Sequence, residues 1–486
     1  MTRAPNIVMI MSDQHRFDCC EPYGNQQVRT PALAELAADG VVYDAAFCAF
    51  PVCAPSRYSL LTGRTPRQHL CWRNDSTLPA GMDTFPRQLR NGGYRTAAVG
   101  KLHLTPAYLD VGFDRMTLAE QDGAGRLVDD FHRDLRRHGL IDRGDLTDQV
   151  ARFRQHASPE YWENYGAIAS DLPEESHSTT WIGDNACREI VGWDPDEPNL
   201  LFASFIKPHH PFDPAARWLA GYADADLDPL PGCGPALTDR DAEFADGYFP
   251  HGALTDATLI RVMRHYYAAI SQVDHQIGRM LDLLRQRDLY DDTVIVYTSD
   301  HGEYLGHHGL LLKGGLLYEP LARVPLIIKY PHSNRSGGRD DGLTSGIDIA
   351  PTLLSLAGLA PMAASGRDLT PGPADREVLV VDAPNATQLM ARTRTHKLIL
   401  RLAGDPLLFD LSADPHEFVD VYDDPRHRDS RELLMRRLLT ELAFGQAPVP
   451  HRDPAPVTLR GGNIPNDPTA TAAEMNSWID SMMRPG

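Results

Sequence analysis

With 486 residues, 42% hydrophobic and 23% charged, the chain has an ordinary globular composition and enough length to bury a large core. Its 47 Lys and Arg against 66 Asp and Glu leave a formal charge of −19, which repels phosphate backbones and anionic lipid surfaces, so neither nucleic acid nor a membrane is expected as a partner. Seven cysteines without a CxxC pair argue against a disulfide framework and a thiolate-rich zinc site. An anionic small substrate stays compatible, provided that the cleft supplies its own positive charge.

The first apolar run, Ile7 to Met11, is too short for the core of a secretion signal and reads as a strand. No stretch approaches the roughly 20 apolar residues that span a bilayer, and a cytoplasmic location is expected. Helical periodicity covers Pro31 to Asp39 and Thr84 to Asn91. Further strands are predicted at Tyr94 to Val99, Leu200 to Ile206 and Thr293 to Thr298, with a long helix at Leu259 to Gln286. A helix at Ile349 to Ala357 has Asp348 in position to cap it.

This alternation predicts an α/β domain over residues 1–365, with a mostly parallel central sheet flanked by helices. Polar, weakly periodic stretches near 114–198 and 213–250 are predicted as insertions over that core. Strands at Val378 to Val381, Lys397 to Leu402 and Leu407 to Leu411, with a helix at Ser430 to Phe444, predict a smaller α+β subdomain over 366–445. Residues 446–486 are predicted as an extended arm able to embrace a second copy, which makes a homo-oligomer an expected assembly.

The chemistry is concentrated just past the strand ends. The strands run into Ser12-Asp13-Gln14, Gly100-Lys101-Leu102-His103, Lys207-Pro208-His209-His210 and Ser299-Asp300-His301-Gly302. In an open parallel sheet these ends share one edge, where ligands bind. Two carboxylates, an amide oxygen and an imidazole suit one divalent cation, Ca²⁺ before Mn²⁺ or Mg²⁺. Cys53-Ala54-Pro55-Ser56-Arg57 fits a helix start, which would set Cys53 among free N–H groups with the Arg57 fork beside it, an anion pocket with a nucleophile. Trp72, Arg73, Asn74 and Trp181 are candidates for lining a substrate pocket.

Cys53-x-Pro55-Ser56-Arg57 with Leu61-Thr62-Gly63-Arg64 resembles the signature of the type I sulfatases of the alkaline phosphatase superfamily. The resemblance continues through Gly100-Lys101-Leu102-His103, Pro208-His209-x-Pro211, Ser299-Asp300-His301-Gly302, Lys313-Gly314 and Asp348-Ile349-Ala350-Pro351-Thr352. It implies an alkaline phosphatase-like core and conversion of Cys53 to formylglycine by a formylglycine-generating enzyme. It also implies hydrolysis of a small-molecule sulfate monoester to alcohol and sulfate. By residue, it implies metal ligation by Asp13, Gln14, Asp300 and His301, with modified Cys53 as the fifth ligand. Lys101 and Lys313 would neutralise the transferring group, His103 would be the base, His209 would serve the leaving oxygen, and Arg57 would hold the formylglycine.

Many sulfatases have Asp where this chain has Gln14, and Asn where it has His301. The combination present resembles the branch that includes phosphonate monoester hydrolases, so phosphonate monoesters and phosphodiesters are the alternative substrates. A non-catalytic metal or anion binder with an unmodified Cys53 thiol is the remote alternative.

Overall fold

The computed structural model describes residues 4–234, 241, 249, 254–332, 335–372, 376–383, 387–445, 460 and 463–483. In chain order the strands of the catalytic part are β1 (Asn6–Asp13), β2 (Val41–Tyr43), β3 (Ala46–Phe47), β4 (Arg95–Gly100), β5 (Arg115–Leu118), β6 (Asn199–Pro208), β7 (Thr293–Ser299), β8 (Leu326–Lys329), β9 (Gly338–Asp340) and β10 (Thr344–Ser345). Eight of them form one sheet in the order β5-β4-β6-β1-β7-β8-β2-β9, while β3 and β10 pair separately. From β5 to β7 every pairing is parallel, and β8 runs antiparallel to both its neighbours. The expected mostly parallel α/β core is therefore present.

β1 lies at the centre because all eight of its residues are buried and both of its edges are paired. Its side chains alternate between the two faces of the sheet. Ile7, Met9 and Met11 join the helices Cys53–Thr62, Phe85–Asn91 and Ile349–Leu356 on one side. Val8 and Ile10 join the helices Pro31–Asp39, Ser178–Val191 and Asp256–Gln286 on the other. Covering both faces is what lets a parallel sheet read as continuous apolar runs.

Registry brings the strand ends level: Ser12 faces Ser299, Asp13 faces Pro208, and Gly100 faces Ser204. Gly100 has φ +97°, and a Cβ there would sit 2.0 Å from the Ser204 carbonyl oxygen, so only glycine lets β4 and β6 close up at the site.

Three expectations need correction. The stretch 114–198 is only partly an insertion, because it supplies the edge strand β5 and the core helix Ser178–Val191, whose Ile182, Ala186 and Ile190 are buried under the sheet. Asp348 does not cap its helix; its carboxylate accepts from the Ser345 and Arg367 backbone N–H groups and pairs with Arg376. In the tail, residues 446–459, 461–462 and 484–486 lie outside the described residues, but Pro468–Met482 is helical rather than extended. It buries Met475 and Ile479 against Ile141 and Leu146, so this part of the arm is seated on its own chain.

The second subdomain is an antiparallel sheet of β11 (Leu379–Asp382), β12 (Gln388–Arg392), β13 (His396–Arg401) and β14 (Leu407–Asp410). The helix Arg428–Phe444 covers one face with Leu434 and Leu438. The other face packs on Phe47, Tyr318 and Leu321 of the catalytic part. Among the described residues, no helix is long and apolar enough to cross a membrane.

Candidate active site

The ends of β1, β4, β6 and β7 converge with the first residue of the helix Cys53–Thr62. That helix starts at Val52, whose extended backbone offers no side-chain cap, and all ten of its residues are buried. The Ala54 N–H instead donates to Asn74 Oδ1 at 3.2 Å, which brings Asn74 to the start of this helix, next to Cys53. Trp181 lies elsewhere, packed on Phe131 with its indole N–H on Asp134.

Cys53 Sγ is 3.3 Å from His301 Nε2, 3.6 Å from Asp13 Oδ1 and 3.0 Å from Lys313 Nζ. The ligand atoms of Asp13, Cys53, Asp300 and His301 all lie within 4.8 Å of one another, and all four residues are buried. His301 Nδ1 donates to the Gly302 carbonyl at 2.9 Å, so its Nε2 carries the lone pair that faces the cluster. Gln14 holds φ at 66°, an unusual value for a residue with a side chain. Its Nε2 donates to Glu303 Oε2 while its Oε1 is buried with no hydrogen-bond partner among the described residues. An orphaned amide oxygen beside two carboxylates and an imidazole lone pair is a donor set that fits a divalent ion.

Cations surround this acceptor cluster. Arg57 Nε lies 2.8 Å from Asp300 Oδ2 and its Nη2 3.2 Å from Asp13 Oδ2, while Nη1 donates to Ser204 Oγ at 2.8 Å. Lys101 Nζ is 2.8 Å from Asp13 Oδ2. Burial pushes the Cys53 thiol up, as does Asp13, but Lys313, Lys101 and His301 together bring it well below its ordinary value. Residue 53 therefore sits in a field that favours an anion.

The histidine pair resolves into two roles. His209 Nδ1 donates to the His210 carbonyl at 2.6 Å, which leaves Nε2 to accept from Lys313 Nζ at 2.8 Å. Burial, Lys313 and His210 hold His209 well below its usual range, hence neutral. His210 stacks on His209 but turns its Nδ1 to Asp148 at 2.6 Å, away from residue 53.

Several acids that the sequence did not single out position these groups. Burial alone would lower the His103 imidazole, but Asp122 Oδ1, 3.1 Å from its Nε2, raises it to about 10, with Cys53 adding to the rise. Glu120 accepts from the Leu102 and His103 backbone N–H groups at 3.1 and 3.0 Å, fixing a turn in which His103 has φ 55°. Glu303 fixes the Gln14 amide. Glu303 directly follows Ser299-Asp300-His301-Gly302 in the chain, whereas only the fold brings Glu120, Asp122 and Asp148 to the site.

A buried Cys53 between a donor set that fits a divalent ion and two lysines suits the hydrolysis of anionic esters. The family model for sulfatases matches residues 5–359, and the chain belongs to that family. It is 28% identical to an arylsulfatase of Clostridium perfringens, covering 90% of this chain and 94% of that protein. It is 30% identical to the multifunctional alkaline phosphatase superfamily protein PehA of Trinickia caryophylli, covering 95% of this chain and all of that one. The crystal structure of the phosphonate monoester hydrolase of Agrobacterium radiobacter superposes with a TM-score of 0.74 at 26% identity, covering 90% and 95% of the two chains. The protein is thus a type I sulfatase of the alkaline phosphatase superfamily, a sulfuric ester hydrolase whose family works with a divalent metal and a formylglycine.

Proposed function

We propose that this chain hydrolyses sulfate monoesters of small alcohols at residue 53, with Cys53 converted to formylglycine and Asp13, Gln14, Asp300 and His301 holding one divalent ion. The observation that carries the reading is Lys313 Nζ at 3.0 Å from Cys53 Sγ, on the rim of the ligand cluster. Sγ stands where an oxygen of the hydrated aldehyde would be. The ion supplies electrophilic charge and the hydrated formylglycine supplies the oxygen nucleophile.

The chain's own groups do the rest. Arg57 ties Asp13 to Asp300 and so sets the spacing of the two carboxylates. Lys313 and Lys101 present positive charge to the oxygens of the transferring group, where charge grows as the ester bond breaks. The Lys313–His209 pair, joined at 2.8 Å, delivers the proton to the leaving alcohol. His103 would serve the second hydroxyl of residue 53, but beside Asp122 its imidazole, raised to about 10, is protonated near neutrality, so it takes that proton only after giving up its own.

Cys53, Pro55 and Arg57 are all buried, so an enzyme that reads this segment to make formylglycine must act before the chain folds. Ca²⁺ suits the oxygen-rich ligands best, with Mn²⁺ or Mg²⁺ as the other choices. The seven free cysteines fit the reducing interior of a cell, and the cytoplasm is the proposed location.

Sulfate release from an aryl sulfate by metal-loaded protein, with Cys53→Ala as control, tests the reading; equal rates in the two would refute it. Mass analysis of the peptide containing residue 53 should show the exchange of sulfur and two hydrogens for one oxygen. Gln14 and His301 favour a second reading, a phosphonate monoester or phosphodiester hydrolase with the same residues. Relative kcat/KM for matched sulfate and phosphonate esters decides between the two.

A further inference from the structure

The second subdomain contains another group of metal-ligating side chains, away from the strand ends that build the active site. His396, Asp410 and His427 each offer one ligand atom, and these atoms lie within 4.8 Å of one another. His396 opens β13, Asp410 closes β14 and faces His396 across the antiparallel pair, and His427 ends the short 3-10 turn Pro425–His427 that leads into the helix Arg428–Phe444. Three separate segments thus converge on one half-buried point.

The geometry is that of ligands sharing an ion. His396 Nε2 lies 3.0 Å from His427 Nδ1, close to the roughly 3.3 Å between two nitrogens bound at about 2.0 Å to one tetrahedral centre. The rings are tilted by 54° with centroids 5.2 Å apart, so nitrogen atoms rather than ring faces meet. His396 Nδ1 is 3.0 Å from Thr395 Oγ1, an outer contact on the ring nitrogen that faces away from His427.

We propose that His396, Asp410 and His427 form a second cation site that takes Zn²⁺ or a neighbouring divalent transition ion, with water completing the tetrahedron. Two nitrogens against one carboxylate disfavour Ca²⁺ and Mg²⁺, whereas the catalytic cluster is rich in oxygen; the two sites therefore select different metals. The ion would join the β13–β14 edge to the start of the helix whose Leu434 and Leu438 cover this sheet. Its role is to clip the subdomain together, not to touch substrate.

Crystals of the full chain soaked in ZnCl₂ and measured above the zinc edge should show an anomalous peak within about 2.2 Å of both His396 Nε2 and His427 Nδ1. A map with zinc elsewhere and none at this point would overturn the proposal. In solution, equilibrium dialysis should find one zinc fewer per chain for the His396→Ala/His427→Ala double variant, with aryl sulfate turnover unchanged. His427→Ala alone, in an exposed turn that leaves the strands intact, should weaken that zinc at least tenfold. Unaltered zinc stoichiometry and affinity in both variants would equally refute it.

Discussion

Replacing Arg57 with alanine would expose how the paired carboxylates are held before any metal binds. Asp13 and Asp300 have no solvent-exposed side-chain surface, and Arg57 spans them at 3.2 and 2.8 Å. Removing one partner of a buried pair typically costs about 3–5 kcal/mol, because the remaining charge stays unpaired in a poor solvent. Here the cost falls unequally. Asp13 keeps Lys101 at 2.8 Å, whereas Asp300 keeps only backbone donors from Gln14 and His301 at 3.1 and 2.9 Å and an imidazole nitrogen at 3.8 Å. The lower end, about 3 kcal/mol, is therefore expected, a factor of roughly 150 in the folded-to-unfolded ratio. A divalent ion between the same carboxylates replaces the missing charge, so in excess metal the loss should fall to about 1 kcal/mol. Chemical denaturation of wild type and Arg57→Ala, each in chelator and in saturating Mn²⁺ or Ca²⁺, reads both values. An equal loss in the two conditions would show that the guanidinium is only a packing element and refute the reasoning.

Other perturbations separate neighbouring roles. Glu303→Ala frees the Gln14 amide and should weaken metal affinity 10- to 100-fold by calorimetry, while an unchanged affinity would remove Gln14 from the ligand set. Asp122→Asn should lower the His103 titration, followed by NMR, from about 10 toward its usual 6.5. Since the folded pKa is raised, the pair's contribution to stability is full below pH 6.5 and is lost as pH rises through 10, so wild type and variant should converge in stability at alkaline pH. Ile479→Ala removes one of two buried anchors of the helix Pro468–Met482, at about 2–5 kcal/mol. A helix of that length is marginal alone, so its amides should lose hydrogen-exchange protection while sulfate release is unaffected; full protection would refute the anchoring.

How much was legible depends on how each element is buried. β1, β4, β6 and β7 are covered on both faces, so their sequences are continuous apolar runs that needed no tertiary information to find. β2, β8, β9 and β12 are three to five residues long, too short to show a period. β5 alternates exposed and buried residues at the sheet edge inside a charged stretch, which hid it. The tail helix did carry a signal. Asp467 accepts from the Ala470 N–H as a cap, Pro468 starts the helix, and Met475, Trp478, Ile479 and Met482 recur at helical spacing, but the polar residues around them outweighed it.

The same distinction runs through the site. Residues gathered around Cys53, namely Asp13, Lys101, His209, Asp300, His301 and Lys313, stand in local patterns, most of them at strand ends, because one edge of the sheet gathers polar groups from each strand. Residues that hold those groups in place come from wherever the fold passes nearby, and they are mostly acids. Glu120, Asp122, Asp148 and Glu303 each act on a neighbour, through the His103 turn, the His103 ring, the His210 ring and the Gln14 amide. This ordering also reconciles a chain of formal charge −19 with an anionic substrate. Coulomb interaction falls with distance, so the immediate neighbours contribute most to the field at buried residue 53. Among these, Lys313 reaches Sγ directly, and Lys101 and Arg57 offset the Asp13 and Asp300 carboxylates. Net charge therefore predicts which large polyanions the surface repels, and the local order of charges predicts which small anion the cleft accepts.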